Sequence, residues 1–148
     1  MHARRAIVNA AAAACAELQT TGSRVYPGRT RPLDANGEPH LLVYARQEQS
    51  ASATMKGPER KLLRRLNLVV EGVDSATTDT DALVDQIAAE VEAALAADNT
   101  LGGLAKDLEL ASTEIVTSGD DAERRLVVIR LTFVVTYLTA ANDPTAAA

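Results

Sequence analysis

The segment 124–138 constrains the fold most, because apolar side chains occupy every second position over the length of a long β-strand. The opposite parity is mixed, since it contains Arg130 and Thr132 but also Val128 and Val134. A strand with apolar residues on both faces is usually covered on both, so part of the second face is expected to meet a neighbour. The fully apolar parity consists of Val127, Ile129, Leu131, Phe133, Val135 and Tyr137.

Two segments have the residue spacing of helices. Residues 4–20 are rich in alanine, the best helix former, and Gly22 is expected to end that helix. In residues 75–97, Thr78 and Asp81 match a capping box, and apolar side chains recur at every fourth position. We therefore predict two helices that lie on a sheet.

Three further segments predict strands. Residues 40–46 are rich in β-branched and aromatic side chains, and residues 62–70 alternate between apolar and polar ones. Residues 106–117 are separated from the last strand by a polar connection that suits an antiparallel hairpin. A short extended piece is expected at residues 25–26.

A projecting arm is predicted at residues 41–70. Residues 47–58 are small and polar, without a periodicity that would bury them, and are expected to form a mobile tip. Arg60 and Arg64 fall on the otherwise apolar parity of the following strand, which suggests that this strand begins beyond the edge of the core. The two strands and the tip would then extend from the domain together.

These elements predict a single α+β domain over residues 1–140. Its mostly antiparallel sheet carries two packed helices, in the order helix, strand, strand, helix, strand, strand. Residues 141–148 are mainly Ala, Asn, Asp, Pro and Thr, and are expected to form a flexible C-terminal tail. The core is expected to be aliphatic, because the only aromatic residues are Tyr26, Tyr44, Phe133 and Tyr137.

Charge is divided unevenly along the 148 residues. Residues 1–65 carry 11 Lys and Arg against 5 Asp and Glu, which gives +6, whereas residues 66–148 carry 4 against 15, which gives −11. Such a division suits a subunit whose basic surface meets the acidic surface of an identical neighbour. It is also compatible with a nucleic-acid patch or with charges that are simply solvated.

The residue types needed for catalysis or cofactor binding are scattered. His2 and His40 are the only histidines and are far apart in sequence, and Cys15 is the only cysteine, expected to be a buried filler. Gly102 and the glycine after it lack the following lysine of a phosphate-binding loop. We therefore predict no catalytic, cofactor-binding or metal site, and no enzymatic activity.

Two further features have an alternative functional interpretation. The acidic pairs at residues 79 and 81 and at residues 120 and 121 fit a helix cap and a hairpin turn better than general acids or metal ligands. The basic run 56–65 includes leucines and has no stacking aromatics, which favours a solvated or subunit-facing strand over a nucleic-acid reader. Neither feature indicates an enzyme.

Seven segments, taken in order, resemble the minor tail protein U or tail terminator family of long-tailed phages and phage-derived particles. The resemblance spans most of the chain, and its motifs are strand and helix signatures without a catalytic fingerprint. The segments are residues 25–33 (VYPGRTRPL), 39–46 (PHLLVYAR), 64–72 (RRLNLVVEG), 83–95, 100–104 (TLGGL), 112–115 (STEI) and 131–137 (LTFVVTY).

The resemblance implies a structural subunit that forms a hexameric ring. Such a ring caps the head-proximal end of the tail tube, stops tube polymerisation and joins the tail to the head. The implied partners are other copies of the chain, the tail tube protein and a head-tail connector or neck protein, while DNA passes through the lumen without specific binding. The implied location is the virion tail, after assembly in the bacterial cytoplasm and without a membrane or cofactor.

Six residues are candidates for the ring or tube interface. They lie in the basic run or in the tip beside it, where contacts to a neighbouring subunit or to the tube are expected. They are Ser50, Met55, Lys56, Arg60, Arg64 and Arg65.

Two other functions are compatible with the sequence. A different neck component, such as a head-tail connector or completion protein, would share the size and fold class. A small-ligand-binding or enzymatic α+β domain would have to use Cys15, Asp34 and His40 as its polar cluster.

Overall fold

The alternating segment that dominates the sequence forms a strand in the interior of a six-stranded sheet. The computed structural model describes residues 1–28, 39–53, 60–76, 80–118 and 125–147. The elements within these ranges are α1 (Ala3–Ala14), β1 (Val25–Pro27), β2 (His40–Ser52), β3 (Lys61–Ala76), α2 (Thr80–Ala96), β4 (Asp107–Ser118), β5 (Arg125–Ala140) and β6 (Asp143–Ala147).

The sheet has the strand order β1-β2-β3-β5-β4, with β6 paired to the end of β5. β1 runs parallel to β2, and the other pairs are antiparallel, so the sheet is mixed. β5 is hydrogen-bonded to β3 on one side and to β4 on the other over most of its length. The α+β class and the single sheet with two helices agree with the sequence prediction.

One face of the sheet carries the main hydrophobic core. The predicted apolar parity of β5 is confirmed, since its six side chains from Val127 to Tyr137 are at most 2% exposed. α2 contributes Ile87, Val91 and Leu95 to this core, and α1 contributes Ile7. Both helices therefore lie on the same face of the sheet.

The opposite face of the sheet is also partly apolar. Leu42, Val73 and Val128 form a second small buried cluster against which Tyr26 and Tyr44 pack. These residues belong to the parity opposite to that of the main core, because successive side chains of a strand point to opposite faces. Val128 on this second face is therefore buried, whereas Val134 is only partly buried.

The N-terminal helix is shorter than predicted. The sequence predicted a helix over residues 4–20, whereas α1 ends at Ala14 and is followed by turns. The backbone N–H of Thr20 donates to Glu90 Oε1 of α2 at 2.9 Å, and its hydroxyl donates to Glu90 Oε2 at 2.6 Å. These two bonds hold the segment after α1 against α2, in place of another helical turn.

The predicted order of elements lacks two strands that the structure contains. β1 is held by the Leu41 N–H, which donates to the Arg24 carbonyl at 2.8 Å, and by the Gly28 N–H, which donates to the Val43 carbonyl at 2.7 Å. The chain end, predicted to be a flexible tail, includes β6, which pairs with Thr139 and Ala140 of β5. β1 coincides with the short extended piece predicted at residues 25–26, whereas β6 is not predicted, because a short strand that depends on a long neighbour has no strong local pattern.

The predicted projecting arm is not confirmed. β3 is paired with β5 along its whole length, from Lys61 opposite Ala140 to Ala76 opposite Arg125. The first part of β3 is therefore an internal strand of the sheet. Residues 47–52 of the predicted mobile tip belong to β2, and residues 54–58 lie outside the described residues.

Gly72 of β3 lies directly against Ile87 of α2. A Cβ atom built at this position would lie 2.6 Å from Ile87 Cγ2 and 3.1 Å from Ile129 Cγ2. Both neighbours are buried and at most 1% exposed, so they have little room to move.

We expect Gly72→Ala to destabilise the protein by about 1–3 kcal/mol, because the added methyl group overpacks the helix–sheet interface. Denaturant unfolding measures this change. Ile87→Leu removes the methyl branch at Cβ, so the same Gly72→Ala substitution should be less destabilising in an Ile87→Leu background. An equal loss in both backgrounds would contradict the assigned clash.

Candidate assembly surfaces

The structure places four of the six predicted interface residues at one end of the sheet. Ser50 of β2 lies opposite Arg64 of β3, and Gln49 lies opposite Arg65. Arg60 immediately precedes β3, and its carbonyl accepts a hydrogen bond from the Ala141 N–H at 2.7 Å. Their proximity follows from the β2–β3 pairing.

The remaining two predicted residues, Met55 and Lys56, lie outside the described residues. Among the four that are described, Ser50, Arg60 and Arg65 are exposed and Arg64 is largely buried. The exposed side chains are available for contacts with another molecule, whereas the Arg64 side chain contacts other residues of the same domain.

Arg64 is held by partners on both neighbouring strands. Its Nη1 lies 3.0 Å from Glu48 Oε2, and its Nε donates to Thr139 Oγ1 at 2.8 Å. The side chains of Arg64 and Glu48 are only 11% and 8% exposed. Arg64 therefore stabilises the sheet, and its position on the apolar parity reflects this contact.

Glu48 is the centre of this polar cluster. Besides Arg64, it accepts hydrogen bonds from Arg4 Nη1 at 2.8 Å and from the Tyr137 hydroxyl. Burial and the bond to Glu48 raise the pKa of Tyr137 well above its ordinary value. The cluster joins α1, β2, β3 and β5.

Sequence patterns do not identify Glu48, because it lies in the polar run 47–58, which predicts a mobile tip. No signal in that run distinguishes Glu48 from the solvated residues beside it. Its three partners come from distant parts of the chain, so only the tertiary fold identifies it.

We expect Glu48→Ala to destabilise the protein by about 3–5 kcal/mol, because it leaves the buried Arg64 guanidinium without a counter-ion. Arg4→Ala is the matched control, since the Arg4 side chain is 38% exposed. Loss of the Arg4 side chain should reduce the free energy of unfolding by less than about 1 kcal/mol. Chemical denaturation of both variants compares their losses of unfolding free energy. Equal losses would show that Glu48 contributes no more to stability than the exposed Arg4 does.

A second polar network crosses four neighbouring strands on the opposite face of the sheet. Arg130 of β5 donates through Nε to Glu71 of β3 at 2.8 Å and through Nη1 to Glu114 of β4 at 3.0 Å. The hydroxyl of Tyr44, on β2, donates to Glu71. Glu71 is 4% exposed and Glu114 is 59% exposed, so the network runs from the interior to the solvent at β4.

Burial raises the pKa of Tyr44 from 10.0 to about 12, and the hydrogen bond to Glu71 and the charge of Glu71 add to the shift. A raised pKa means that the folded state prefers the neutral phenol. This contribution to stability is complete below about pH 10 and is lost as the pH rises towards 12.

An ultraviolet titration of the native protein, compared with Tyr44→Phe, should therefore assign an ionisation near pH 12 to this residue. Glu71→Gln should lower the pKa of Tyr44, because it removes the nearby negative charge. Glu114→Gln should leave that pKa nearly unchanged, since no hydrogen bond joins Glu114 to Tyr44 in the described structure. Equal effects of the two substitutions would contradict the assignment.

β4 forms one edge of the sheet and is open to solvent. Residues 109–117 are all exposed, including Leu110, Ile115 and Val116 at 39%, 54% and 36%. Asp107–Ser118 contains three acidic residues and no Lys or Arg. This edge is therefore both acidic and partly apolar.

β2 is open on the other side of the sheet. β1 covers only Leu41 to Val43, so residues 44–52 have a described partner only on the β3 side. Arg46 and Arg65 are exposed here, and within the described chain neither forms an ion pair. A cleft of about 260 Å³ beside this stretch is lined by His2, Arg4, Arg5, Val8, Gly28, Tyr44 and Ala45.

The polar residues considered for a ligand site do not share one location. Cys15 is buried in the main core, and burial raises its pKa to about 11. His40 packs edge-on against Tyr26, which contacts the small cluster on the opposite face. Asp34 lies outside the described residues. Nowhere in the described ranges do three or more His, Cys, Asp or Glu side chains group so as to hold a metal ion.

No protein-family model matches the chain, and no curated protein matches it either. In the portion of the chain that the structure describes, neither helix has the length and apolar character needed to cross a bilayer. Inferences about function therefore depend on the geometry of the two open edges and on the sequence resemblance to tail terminators.

Proposed function

We propose that this chain is a tail terminator subunit of a long-tailed phage or phage-derived particle. It forms a hexameric ring at the head-proximal end of the tail tube, stops tube polymerisation and joins the tail to the neck. Its role is assembly and not catalysis. Its location is then the virion.

One observation carries this proposal: two different open edges lie on opposite sides of one sheet. A closed cyclic ring requires heterologous interfaces, in which two unlike surfaces of identical subunits meet. The edge at β4 is acidic, and the surroundings of residues 44–52 on β2 are basic. This polarity supports a ring over a two-fold dimer.

The exposed residues at the end of the β2–β3 pair provide a third surface for the tube or the neck. Ser50, Arg60 and Arg65 belong to this surface, and the predicted tip with Met55 and Lys56 extends it in the sequence. Arg64 belongs to the Glu48 cluster and serves the fold. The acidic net charge of −5 suits a ring through which DNA slides without specific binding.

We expect the purified protein to form rings in negative-stain images and to bind the ends of tubes assembled from the tail tube protein of the same particle. Addition of the protein during tube assembly should shorten the tubes. Preferential binding to the head portal would instead support a connector, and a monomer that binds neither would contradict both assembly functions.

Arg60→Glu and Arg65→Glu should together weaken tube binding at least about tenfold, because they reverse two exposed charges without touching the Glu48 cluster. Ala93→Glu, on the exposed face of α2, is the control for added negative charge. Tube binding measured by sedimentation checks the effect. Unchanged binding by the double variant would remove these arginines from the interface.

A further inference from the structure

Past its bulge, the β4 edge has no lysine, proline or further bulge to prevent edge-to-edge association. Soluble proteins protect exposed edge strands with lysine, proline, bulges or covering segments. Asp107–Ser118 contains no lysine and no proline, and its bulge lies between Leu110 and Ser112. The regular part that follows the bulge exposes Ile115 and Val116.

The open stretch of β2 matches β4 in length. Residues 44–52 of β2 and the exposed residues 109–117 of β4 each span nine positions. Among the described residues, both stretches therefore offer a row of backbone N–H and C=O groups without a strand partner, and the two rows are of similar extent. A second copy of the chain can pair its β2 stretch with β4 of the first copy, and its β4 with the β2 stretch of a further copy.

Strand direction favours antiparallel pairing between these two edges. β2, β3, β5 and β4 are antiparallel in turn, so β4 runs opposite to β2. Rotation about an axis along the strands leaves their direction unchanged. Each copy in such a ring therefore presents β4 antiparallel to β2 of its neighbour.

Charge distinguishes this arrangement from a two-fold dimer. Pairing of two β4 edges would place Asp107, Glu109 and Glu114 near the same carboxylates of the other copy, and like charges across strands are destabilising. Antiparallel pairing of the two nine-residue stretches instead brings Glu114 of β4 next to Arg46 of β2. Opposite charges attract, so the unlike pair is favoured.

We propose that β4 of one subunit pairs with residues 44–52 of β2 in the next subunit, so that the sheet continues from copy to copy. Ile115 and Val116 are the apolar anchors of this contact, and Arg46 is the cation nearest to Glu114. This inference rests on the proposed ring and names the contact that closes it.

The two edges can be blocked independently. Ile115→Lys with Val116→Lys places charges on β4, and both positions are already at least 36% exposed. Ser50→Pro removes one backbone donor from β2. The Ala53 N–H bonds to the Lys61 carbonyl, and alternation along the pair directs the Ser50 N–H away from β3. Proline is therefore compatible with this edge position.

Each blocked variant alone should lose self-association by at least about a hundredfold in native mass spectrometry and light scattering. An equimolar mixture should form a heterodimer and nothing larger, because the β4-blocked copy retains its β2 edge and the β2-blocked copy retains its β4 edge. Arg46→Glu provides a second block of the β2 edge, and Ile115→Ser with Val116→Ser a second block of β4. If circular dichroism shows that one of the first variants is unfolded, the alternative variant of the same edge replaces it.

Glu92→Lys is the matched control for the lysine pair, since it changes the net charge equally on the exposed face of α2. It should assemble as the parent does. Homodimers of the β2-blocked variant, or a mixture without heterodimer, would overturn the edge pairing. Rings that persist in all the edge variants overturn it and leave the terminator proposal standing. A parent protein that stays monomeric overturns the edge pairing, and it overturns the terminator proposal as well if it also fails to bind tube ends.

Discussion

The structure depends on the position of β5 between two antiparallel neighbours. Its backbone is satisfied by β3 on one side and by β4 on the other, and its apolar parity forms the floor of the main core. Because buried backbone groups need partners, a strand of this length is stable only inside a sheet. Its position decides which face receives the helices and makes β4 an edge.

The sheet also contains two networks of charged side chains, which differ from surface salt bridges because their carboxylates are nearly buried. Glu48 and Glu71 are nearly buried, and each contacts a guanidinium and a tyrosine hydroxyl from another strand. Buried charges contribute little net stability unless they are well paired, but loss of a partner is strongly destabilising. The networks therefore fix which residues face each other across the strands, so that a shift of register would leave charges unpaired.

The uneven charge of the sequence acquires a spatial meaning in the fold. Basic residues of the first part of the chain lie around the open stretch of β2, and the acidic β4 comes from the second part. The sheet order separates these strands to opposite sides, because β3 and β5 lie between them. One domain thereby presents two unlike surfaces, which is the geometry that head-to-tail assembly uses.

The sequence by itself determined the α+β class, the long central strand with its buried parity, and the presence of two helices and a second apolar face. These features follow from side-chain periodicity, which is local and strong in long elements. The sequence also placed Ser50, Arg60 and Arg65 close together, since Ser50 lies on β2, Arg65 lies on the paired strand β3, and Arg60 immediately precedes β3.

Only the tertiary structure decided the early end of α1, the strands β1 and β6, the internal position of β3 and the role of Arg64. Three of these depend on a partner remote in sequence: Glu90 for the turn after α1, β2 for β1, and Glu48 for Arg64. β6 instead pairs with the nearby end of β5. Such contacts leave no periodic trace, because a single hydrogen bond or ion pair constrains one residue and not a pattern. The position of β4 at an edge of the described sheet was also decided by the tertiary structure, because a strand is an edge strand only when it has a paired strand on one side alone.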